Sequence, residues 1–282
     1  MVVKTVLVTG ANGYIGKHVV AALNNMNVHV IAADVNPYVG DDADETISAN
    51  ILDPEFSPSN YLSCVPDVCL HLAWRNGFNH NSETHIADLS GHYGFLLKMA
   101  DYGVKHLAVM GSMHEVGYWE GAICDDTPCN PQSLYGIAKD CLRRTMFQEA
   151  SLKGFNLQWL RGYYIFGDDE GSQSVFGKLL RAARSGETTF PFTTGKNKFD
   201  FSSVKDLAYM ISCAVLQDEI NGIINCCSGN PVSLAAQMEQ FIKDNELNIS
   251  LEYGAFPDRP YDSPGVWGNA DKIKAIMASR NC

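Results

Sequence analysis

A tyrosine and a lysine lie four residues apart in the segment Tyr135-Gly136-Ile137-Ala138-Lys139. Residues i and i+4 share one face of a helix, so this spacing places an ammonium group beside a phenol. A neighbouring cation favours the phenolate and lowers the pKa of a tyrosine from about 10 toward neutral pH. The pair therefore predicts a general acid or base. The same spacing also occurs on ordinary solvated helix faces, so the interpretation depends on what precedes it.

Three glycines follow the first apolar run of the chain. Val6-Leu7-Val8 passes through Thr9 into Gly10, Gly13 and Gly16. A phosphate can contact backbone N–H groups directly where no Cβ intervenes, and the amino end of a helix favours its negative charge. We expect Gly10 to permit a tight turn, Gly13 the close approach of a phosphate, and Gly16 the packing of helix on strand. The first interval is one residue longer than in the simplest dinucleotide fingerprint, and a purely steric turn is the alternative.

An aspartate ends the next predicted strand. Val28-His29-Val30-Ile31-Ala32-Ala33 leads into Asp34, about 20 residues beyond the glycines. A carboxylate at this place accepts hydrogen bonds from both ribose hydroxyls of NAD and repels the 2′-phosphate of NADP. No arginine follows in Val35-Asn36-Pro37. The sequence therefore favours NAD, with a simple turn at Asp34 as the alternative.

Short apolar runs alternate with helical stretches along the first part of the chain. This alternation predicts an α/β fold with a Rossmann-like doubly wound parallel sheet, covered by helices on both faces. We expect a first domain over 1–167, with 200–227 rejoining it, and a small C-terminal lobe from 168–199 and 228–282. Strands are predicted near 4–9, 28–33, 45–49, 67–72, 106–111, 156–162 and 222–226, and helices near 14–25, 56–63, 83–102, 132–152, 174–185 and 206–216.

Composition limits the classes of partner. The chain has 282 residues, 46% of them apolar, and a formal net charge of −11. This charge disfavours nucleic acid and anionic membrane surfaces. The first strand begins near Lys4, which leaves no room for a signal peptide, and no apolar run approaches the ~20 residues of a membrane span, so we expect a cytoplasmic protein. The nine cysteines and eight histidines show no metal-ligand spacing, so reduced thiols and no metal are expected.

With the glycine turn, Asp34 and the Tyr135–Lys139 pair in place, the chain resembles the extended short-chain dehydrogenase/reductase family. Within it the resemblance is to the NAD-dependent nucleotide-sugar epimerase/dehydratase branch, and it covers nearly the whole length. Further matching segments are Asn50-Ile51-Leu52-Asp53, His71-Leu72-Ala73-Trp74, Leu160 to Gly167, Phe199 to Asp206, Asn225 to Gly229, and Arg259-Pro260-Tyr261-Asp262.

This resemblance implies that a hydride moves between C4 of a nucleotide-diphosphate sugar and the nicotinamide of NAD. Tyr135 exchanges the hydroxyl proton, Lys139 also holds the nicotinamide ribose, and the small C-terminal lobe binds the substrate. A homodimer is implied, through the helices at 83–102 and 132–152. The expected NAD-binding residues are Gly10, Gly13, Tyr14, Ile15, Gly16, Asp34, Asn50, Ile51, Leu72, Ala73, Trp74, Tyr135, Lys139 and Ile165, and the expected substrate-binding residues are Met113, His114, Tyr164 and Arg259.

Three positions depart from the family pattern. Met113 stands where the family usually has a catalytic Ser or Thr, and Ser112 replaces that hydroxyl if the loop turns it inward. Tyr164 stands where an Asn is common and Phe199 where a substrate-binding Arg is common. These changes would reshape the sugar or nucleotide pocket.

The leading hypothesis is an NAD-dependent oxidoreductase or epimerase acting at C4 of a nucleotide sugar, with Tyr135, Lys139 and Ser112 as catalytic residues. One alternative is a nucleotide-sugar 4,6-dehydratase, in which Glu115 and His114 supply the base and the acid. A second is a non-catalytic NAD-binding protein of the same fold, marked by the missing hydroxyl at Met113.

Overall fold

A parallel sheet forms the centre of the protein, which the computed structural model describes for residues 4–167, 173–258 and 263–279. The strands within these ranges are β1 (Thr5–Thr9), β2 (His29–Asp34), β3 (Glu45–Ser48), β4 (Val68–His71), β5 (His106–Ser112), β6 (Gly121–Ile123), β7 (Asn156–Gly162), β8 (Tyr164–Phe166), β9 (Thr189–Pro191), β10 (Lys198–Phe199), β11 (Phe201–Ser203), β12 (Gly222–Cys226), β13 (Val232–Ser233), β14 (Ser250–Glu252) and β15 (Gly265–Gly268). The large sheet has the order β12-β7-β5-β4-β1-β2-β3, and all its pairs are parallel.

Each central strand is buried on both sides. Along β1, Val6 and Val8 point into one apolar core and Leu7 into the other, as the two-residue period of a strand requires. The described helices are α1 (Tyr14–Asn25), α2 (Thr84–Ala87), α3 (Leu89–Tyr102), α4 (Leu134–Lys153), α5 (Val175–Arg184), α6 (Val204–Val215), α7 (Leu234–Asp244) and α8 (Asp271–Ser279). Helices α1 and α6 contribute to the first core and α3 and α4 to the second. The predicted doubly wound parallel sheet is confirmed.

The strand order reverses between β1 and β4, which are neighbours although two strands separate them in the chain. In open parallel sheets, ligands bind beyond the carboxyl ends of the strands at such a point. The glycine turn follows β1, Trp74 follows β4, and Ser112 ends β5. The fold therefore brings the predicted reactive segments to one edge.

Smaller sheets lie beyond this edge. One has the order β13-β10-β15-β6, and two further pairs are β11 with β8 and β14 with β9. Strand β6 comes from the first half of the chain yet pairs with β15. Strand β12 returns from the second half to pair with β7 in the large sheet.

The helix predicted near 56–63 is wrong, because only the 3₁₀ turn Pro58–Asn60 forms there. Pro58 suits the start of a helix but breaks one that begins earlier, and the residue before Pro66 is disfavoured in helical conformation, so only a short turn forms between them. The helix predicted over 83–102 is divided into α2 and α3 at Asp88. Helix α4 begins after Ser133, whose hydroxyl accepts a hydrogen bond from the Gly136 N–H at 3.2 Å.

Candidate active site

The glycine turn leads directly from β1 into α1. Gly10 has a φ of +70°, and a Cβ there would lie 2.7 Å from the Ala73 backbone. A Cβ on Gly16 would collide with the Gly10 carbonyl oxygen, so Gly16 lets the helix pack against the turn. Gly13 is the residue before α1 and has no side-chain cap. The amino end of α1, which has no side-chain cap, therefore faces the turn as a place where an anion can bind.

Asp34 ends β2 beside this turn. Its carboxylate accepts hydrogen bonds from the backbone N–H of Asn12 at 3.0 Å and of Asn36 at 3.4 Å. The Asn12 side chain in turn holds the following loop through the Asn36 and Pro37 carbonyl oxygens. Two N–H donors leave acceptor capacity on the carboxylate, which fits the diol of an adenosine ribose.

The other predicted cofactor contacts extend along the same edge. The Leu72 N–H bonds to the Thr9 carbonyl oxygen at 3.2 Å, which holds the segment after β4 against β1. The Asn50 side chain caps the Leu52 N–H at 3.2 Å, and Ile51 is buried. Tyr14 and Ile15 open α1, and Ile165 lies in β8.

Tyr135 and Lys139 lie on the first turns of α4, facing the end of β5. The Lys139 Nζ donates to the Met110 carbonyl oxygen at 2.7 Å and lies 6.0 Å from the centroid of the Tyr135 ring. Burial lowers the pKa of Lys139 to about 7, which the charge of Glu115 partly opposes. Burial likewise raises the pKa of Tyr135 to about 12, although a hydrogen bond with Ser112 acts to lower it. The two groups are neighbours, but the lowered Tyr135 pKa predicted from the spacing is not found, because burial raises it instead.

Ser112 supplies the hydroxyl beside Tyr135. Its Oγ accepts the His114 N–H at 3.3 Å, which leaves its proton for the tyrosine oxygen. Met113 is 6% exposed and packs in the core behind β5. The 3₁₀ turn Met113–Glu115 produces this arrangement, because its capping box turns Ser112 inward.

Glu115 closes the capping box and is fully buried. Its carboxylate accepts the Ser112 N–H at 2.6 Å and the Trp159 indole N–H at 2.9 Å, and it pairs with Arg161 at 3.4 Å and Arg143 at 3.7 Å. A carboxylate with this many partners has no free position for a sugar proton. The role of Glu115 is therefore to hold the turn that carries Ser112.

Imidazole and indole rings surround Tyr135. The ring of His80 stacks on the tyrosine at a centroid distance of 5.3 Å, His85 lies at 5.2 Å, and Trp74 and His114 each lie at 6.1 Å. Burial lowers the pKa of His114 to about 4 and also lowers that of His80. Both rings are neutral at pH 7 and can exchange hydrogen bonds without adding charge.

Sequence reasoning missed His80 and His85. They belong to the loop and short helix after β4, and the only sequence signal is their position just beyond the His71-Leu72-Ala73-Trp74 segment. Within the described residues no group of His, Cys, Asp and Glu has an arrangement suited to a metal ion.

Two of the departures from the family pattern contact each other. The rings of Tyr164 and Phe199 lie 4.2 Å apart, and Phe201 lies 5.6 Å from Tyr164. The expected polar pair is thus replaced by an aromatic contact. Arg259 lies outside the described residues.

Comparison with known proteins agrees with this geometry. The model of the NAD dependent epimerase/dehydratase family matches residues 6–227. The chain belongs to this family. Its fold, its NAD cofactor and its membership of the nucleotide-sugar branch, all predicted from the sequence, are confirmed. This family member is an enzyme that acts by NAD-dependent hydride transfer at C4 of a nucleotide sugar, and the hypothesis of a non-catalytic binding protein is wrong.

Individual relatives cover almost the whole chain. A dTDP-6-deoxy-L-talose 4-dehydrogenase (NAD(+)) from Aggregatibacter actinomycetemcomitans is 43% identical over 93% of this chain and 98% of its own length. The solved UDP-glucose 4-epimerase of Thermotoga maritima, with UDP-glucose, is 22% identical with a TM-score of 0.81, covering 96% of this chain and 91% of its own. A Stenotrophomonas maltophila UDP-glucose-4-epimerase with bound NAD is 18% identical with a TM-score of 0.83, covering 98% and 91%.

Proposed function

We propose that this family member is an NAD-dependent 4-dehydrogenase of a dTDP-linked 6-deoxyhexose. The observation that carries the chemistry is the hydrogen bond of Ser112 with Tyr135 at the carboxyl end of β5, with Lys139 Nζ 6.0 Å from the Tyr135 ring centroid. The substrate class follows the relative that is 43% identical, a dTDP-6-deoxy-L-talose 4-dehydrogenase. Net oxidation turns the C4 alcohol into a ketone and releases one proton.

The roles of the residues follow from their geometry. Tyr135 is the general base; its ionisation, which burial opposes and a charged Lys139 favours, lets it take the proton of the C4 hydroxyl. The Ser112 hydroxyl donates to the C4 oxygen and orients it. Lys139, as an ammonium, stabilises the phenolate and holds the nicotinamide ribose. Bound NAD supplies the acceptor for the C4 hydride. Neutral His80 and His114 line this site, where an uncharged donor or acceptor suits a sugar hydroxyl.

The cofactor residues proposed from the sequence fit this arrangement. The glycine turn with Gly10, Gly13 and Gly16 receives the pyrophosphate at the amino end of α1, and Asp34 receives the adenosine ribose. The remaining contacts that we propose are with Tyr14, Ile15, Asn50, Ile51, Leu72, Ala73, Trp74 and Ile165.

The C-terminal lobe is proposed to bind the nucleoside diphosphate, with Arg259 at the phosphates. Met113, His114 and Tyr164 are proposed to border the sugar. The aromatic contact of Tyr164 with Phe199 supports an apolar surface here. Such a surface suits a 6-deoxy sugar, because its C5 carries a methyl group.

A 4,6-dehydratase is disfavoured by the position of Glu115. Dehydration requires a free base for the C5 proton, whereas the Glu115 carboxylate is buried and engaged with Trp159 and Arg161. Epimerisation requires that NADH be retained between two hydride transfers. The assay of free NADH with the sugar-nucleotide panel tests this directly.

A cytoplasmic homodimer completes the proposal. On the outward face of α4, Ile137 and Leu152 remain 44% and 71% exposed, as expected of a surface that a second copy covers. None of the eight cysteines within the described residues forms a disulfide, as in reducing compartments. None of the helices in the described ranges is long and apolar enough to cross a membrane. Sedimentation equilibrium tests the dimer, and a monomer at micromolar concentration would contradict it.

The test of function incubates the protein with NAD and a panel of dTDP-linked 6-deoxyhexoses. NADH absorbance and the mass of the sugar nucleotide are followed together. A 4-dehydrogenase produces NADH with loss of two hydrogens from the sugar. An isomeric product of unchanged mass without free NADH would instead identify an epimerase.

Tyr135→Phe is the matching variant. We expect it to keep NAD binding and to lose at least about 100-fold in kcat, because the general base is gone. Unchanged turnover in this variant would contradict the proposed mechanism.

A further inference from the structure

The indole ring of Trp74 covers the ammonium group of Lys139. Nζ lies 3.8 Å from the ring centroid, and Lys139 is 2% exposed. Among the described residues no carboxylate forms an ion pair with Lys139; Glu115, the carboxylate that supports its charge, is engaged with Arg161 and Arg143. The π face and the Met110 carbonyl are therefore the close partners of this buried charge.

His85 fixes the orientation of that indole. The Trp74 Nε1 donates to His85 Nδ1 at 3.0 Å, and His85 Nε2 lies 2.8 Å from the Asn79 carbonyl oxygen. An indole N–H can only donate and a carbonyl can only accept, so His85 must be neutral with its proton on Nε2. On the other side, the indole stacks on His92 at 4.3 Å with an interplanar angle of 10°. The plane of the indole is thus held from both sides.

The charge state of Lys139 decides where the proton of the coupled pair resides. With Lys139 charged and Tyr135 ionised, the tyrosine is a base; with Lys139 neutral, the same proton remains on Tyr135 and no base exists. An aromatic face stabilises a cation, most strongly for tryptophan and when water is excluded. The position of Trp74 therefore favours the productive distribution.

We propose that Trp74 and His85 are positioning residues, in which His85 orients the indole and the indole holds Lys139 as an ammonium beside Tyr135. This extends the proposed function, on which it depends only for the role of Tyr135 as base. Trp74 is also among the proposed NAD contacts, so its effect on Lys139 is measured without cofactor.

Several titratable groups face Lys139 from the surrounding elements. Tyr135 lies on the same helix, Glu115 on the turn after β5, His71 at the end of β4 and His92 on α3. Burial and the charge of Lys139 lower the pKa of His92 to about 3. Burial, His92 and Lys139 lower the pKa of His71 well below its usual value, so both rings are neutral near pH 7. Burial lowers the pKa of Lys139 to about 7, against the opposing effect of Glu115. His85 on α2 also contacts the indole, so a transition near pH 7 at Trp74 is assigned to Lys139 by its loss in Lys139→Met.

The experiment is a pH titration of tryptophan fluorescence in the protein without cofactor or sugar. We expect a transition near pH 7 in the wild type, absent from Lys139→Met. In His85→Leu the midpoint should move about one pH unit lower, because a misoriented indole no longer stabilises the charged lysine. His85→Gln has a side-chain carbonyl that can accept the indole N–H, so we expect the midpoint of this variant to return to the wild-type pH. Trp119→Phe is the control, since the Trp119 N–H instead bonds to the Ala122 carbonyl oxygen.

A transition that persists in Lys139→Met, or a midpoint unchanged in His85→Leu, overturns the proposal. If His85→Leu fails to fold, the pH profile of kcat/KM of the Trp74→Leu variant tests the proposal instead. We expect a lower plateau and an acid limb shifted to lower pH, and a lower plateau without a shift also overturns it. The titration needs no substrate. A normal titration with no turnover would therefore contradict the proposed function alone.

Discussion

At the scale of single residues, we propose that Ser112 supplies the catalytic hydroxyl, one residue before the position where the family usually has it. Met113 occupies that position and is packed in the core, while Ser112 reaches Tyr135. The one-residue change is possible because the 3₁₀ turn after β5 begins at Met113 and points the Ser112 side chain inward. A hydroxyl, rather than a particular position, is what the chemistry requires.

Replacing Ser112 tests this assignment. Ser112→Ala should lower kcat about 100-fold, as loss of a donor to a developing oxyanion does. It should also move the acid limb of the pH profile to higher pH, because the hydrogen bond that lowers the pKa of Tyr135 is removed. Ser112→Thr should retain most activity. Ser212→Ala, which removes a buried hydroxyl bonded to the Ala208 carbonyl oxygen, is the control, and equal losses in both alanine variants would refute the assignment.

At the scale of elements, the turn after β5 depends on a buried ionic network. Glu115 interacts with Arg161 on β7, Arg143 on α4 and Trp159 on β7, so three elements meet at one carboxylate. Asp140 adds a second partner to Arg143 at 2.6 Å. The network fixes the distance between the Ser112 turn and the helix that carries Tyr135.

Glu115→Gln should therefore act mainly on stability. Removing the carboxylate charge leaves two buried guanidinium groups with less compensation, which costs about 3–5 kcal/mol in buried pairs. Urea unfolding measures the effect. The control Glu120→Gln, at an exposed carboxylate bonded to Tyr118, should change stability by less than about 0.5 kcal/mol. Unchanged stability with lost turnover would instead make Glu115 a catalytic acid or base.

Local patterns predict most of the helices and strands, because the hydrophobic period of a helix or a strand is visible over a few consecutive residues. The glycine turn, Asp34 and the Tyr135–Lys139 spacing are local in the same sense. The Glu115–Arg161 pair was not foreseen, because it joins residues 46 positions apart. Likewise, the contact of Tyr164 with Phe199 and the packing of His80 and His85 around Tyr135 depend on tertiary structure. The helix predicted near 56–63 is wrong because the prolines in and around this segment outweigh its helical pattern.

At the scale of the whole molecule, catalysis and stability make opposite demands on Lys139. The mechanism that we propose needs a buried ammonium, which folding disfavours. Burial lowers the pKa of the folded-state lysine from 10.5 to about 7. Between these values the unfolded chain binds more protons, so the stability of the wild type rises with pH across this window and is lowest below it.

Lys139→Met should consequently raise the melting temperature most at pH 6, and the gain should shrink as the pH approaches 9. Thermal unfolding at a series of pH values measures this. The control Lys205→Met removes an exposed lysine and should show no such trend. A gain for Lys139→Met that does not depend on pH would mean that the lysine is neutral throughout.

The pairing of β6 with β15 has a mechanical consequence. The segment between Ser112 and Tyr135 contains β6, and the Asn225 side chain at the end of the large sheet donates to the Ile123 carbonyl oxygen at 2.9 Å and the Asn269 carbonyl oxygen at 3.1 Å. Ser112 and Tyr135 thus lie at the two ends of a segment that passes through the smaller sheet. We therefore expect a ligand that displaces the smaller sheet to change the distance between Ser112 and Tyr135.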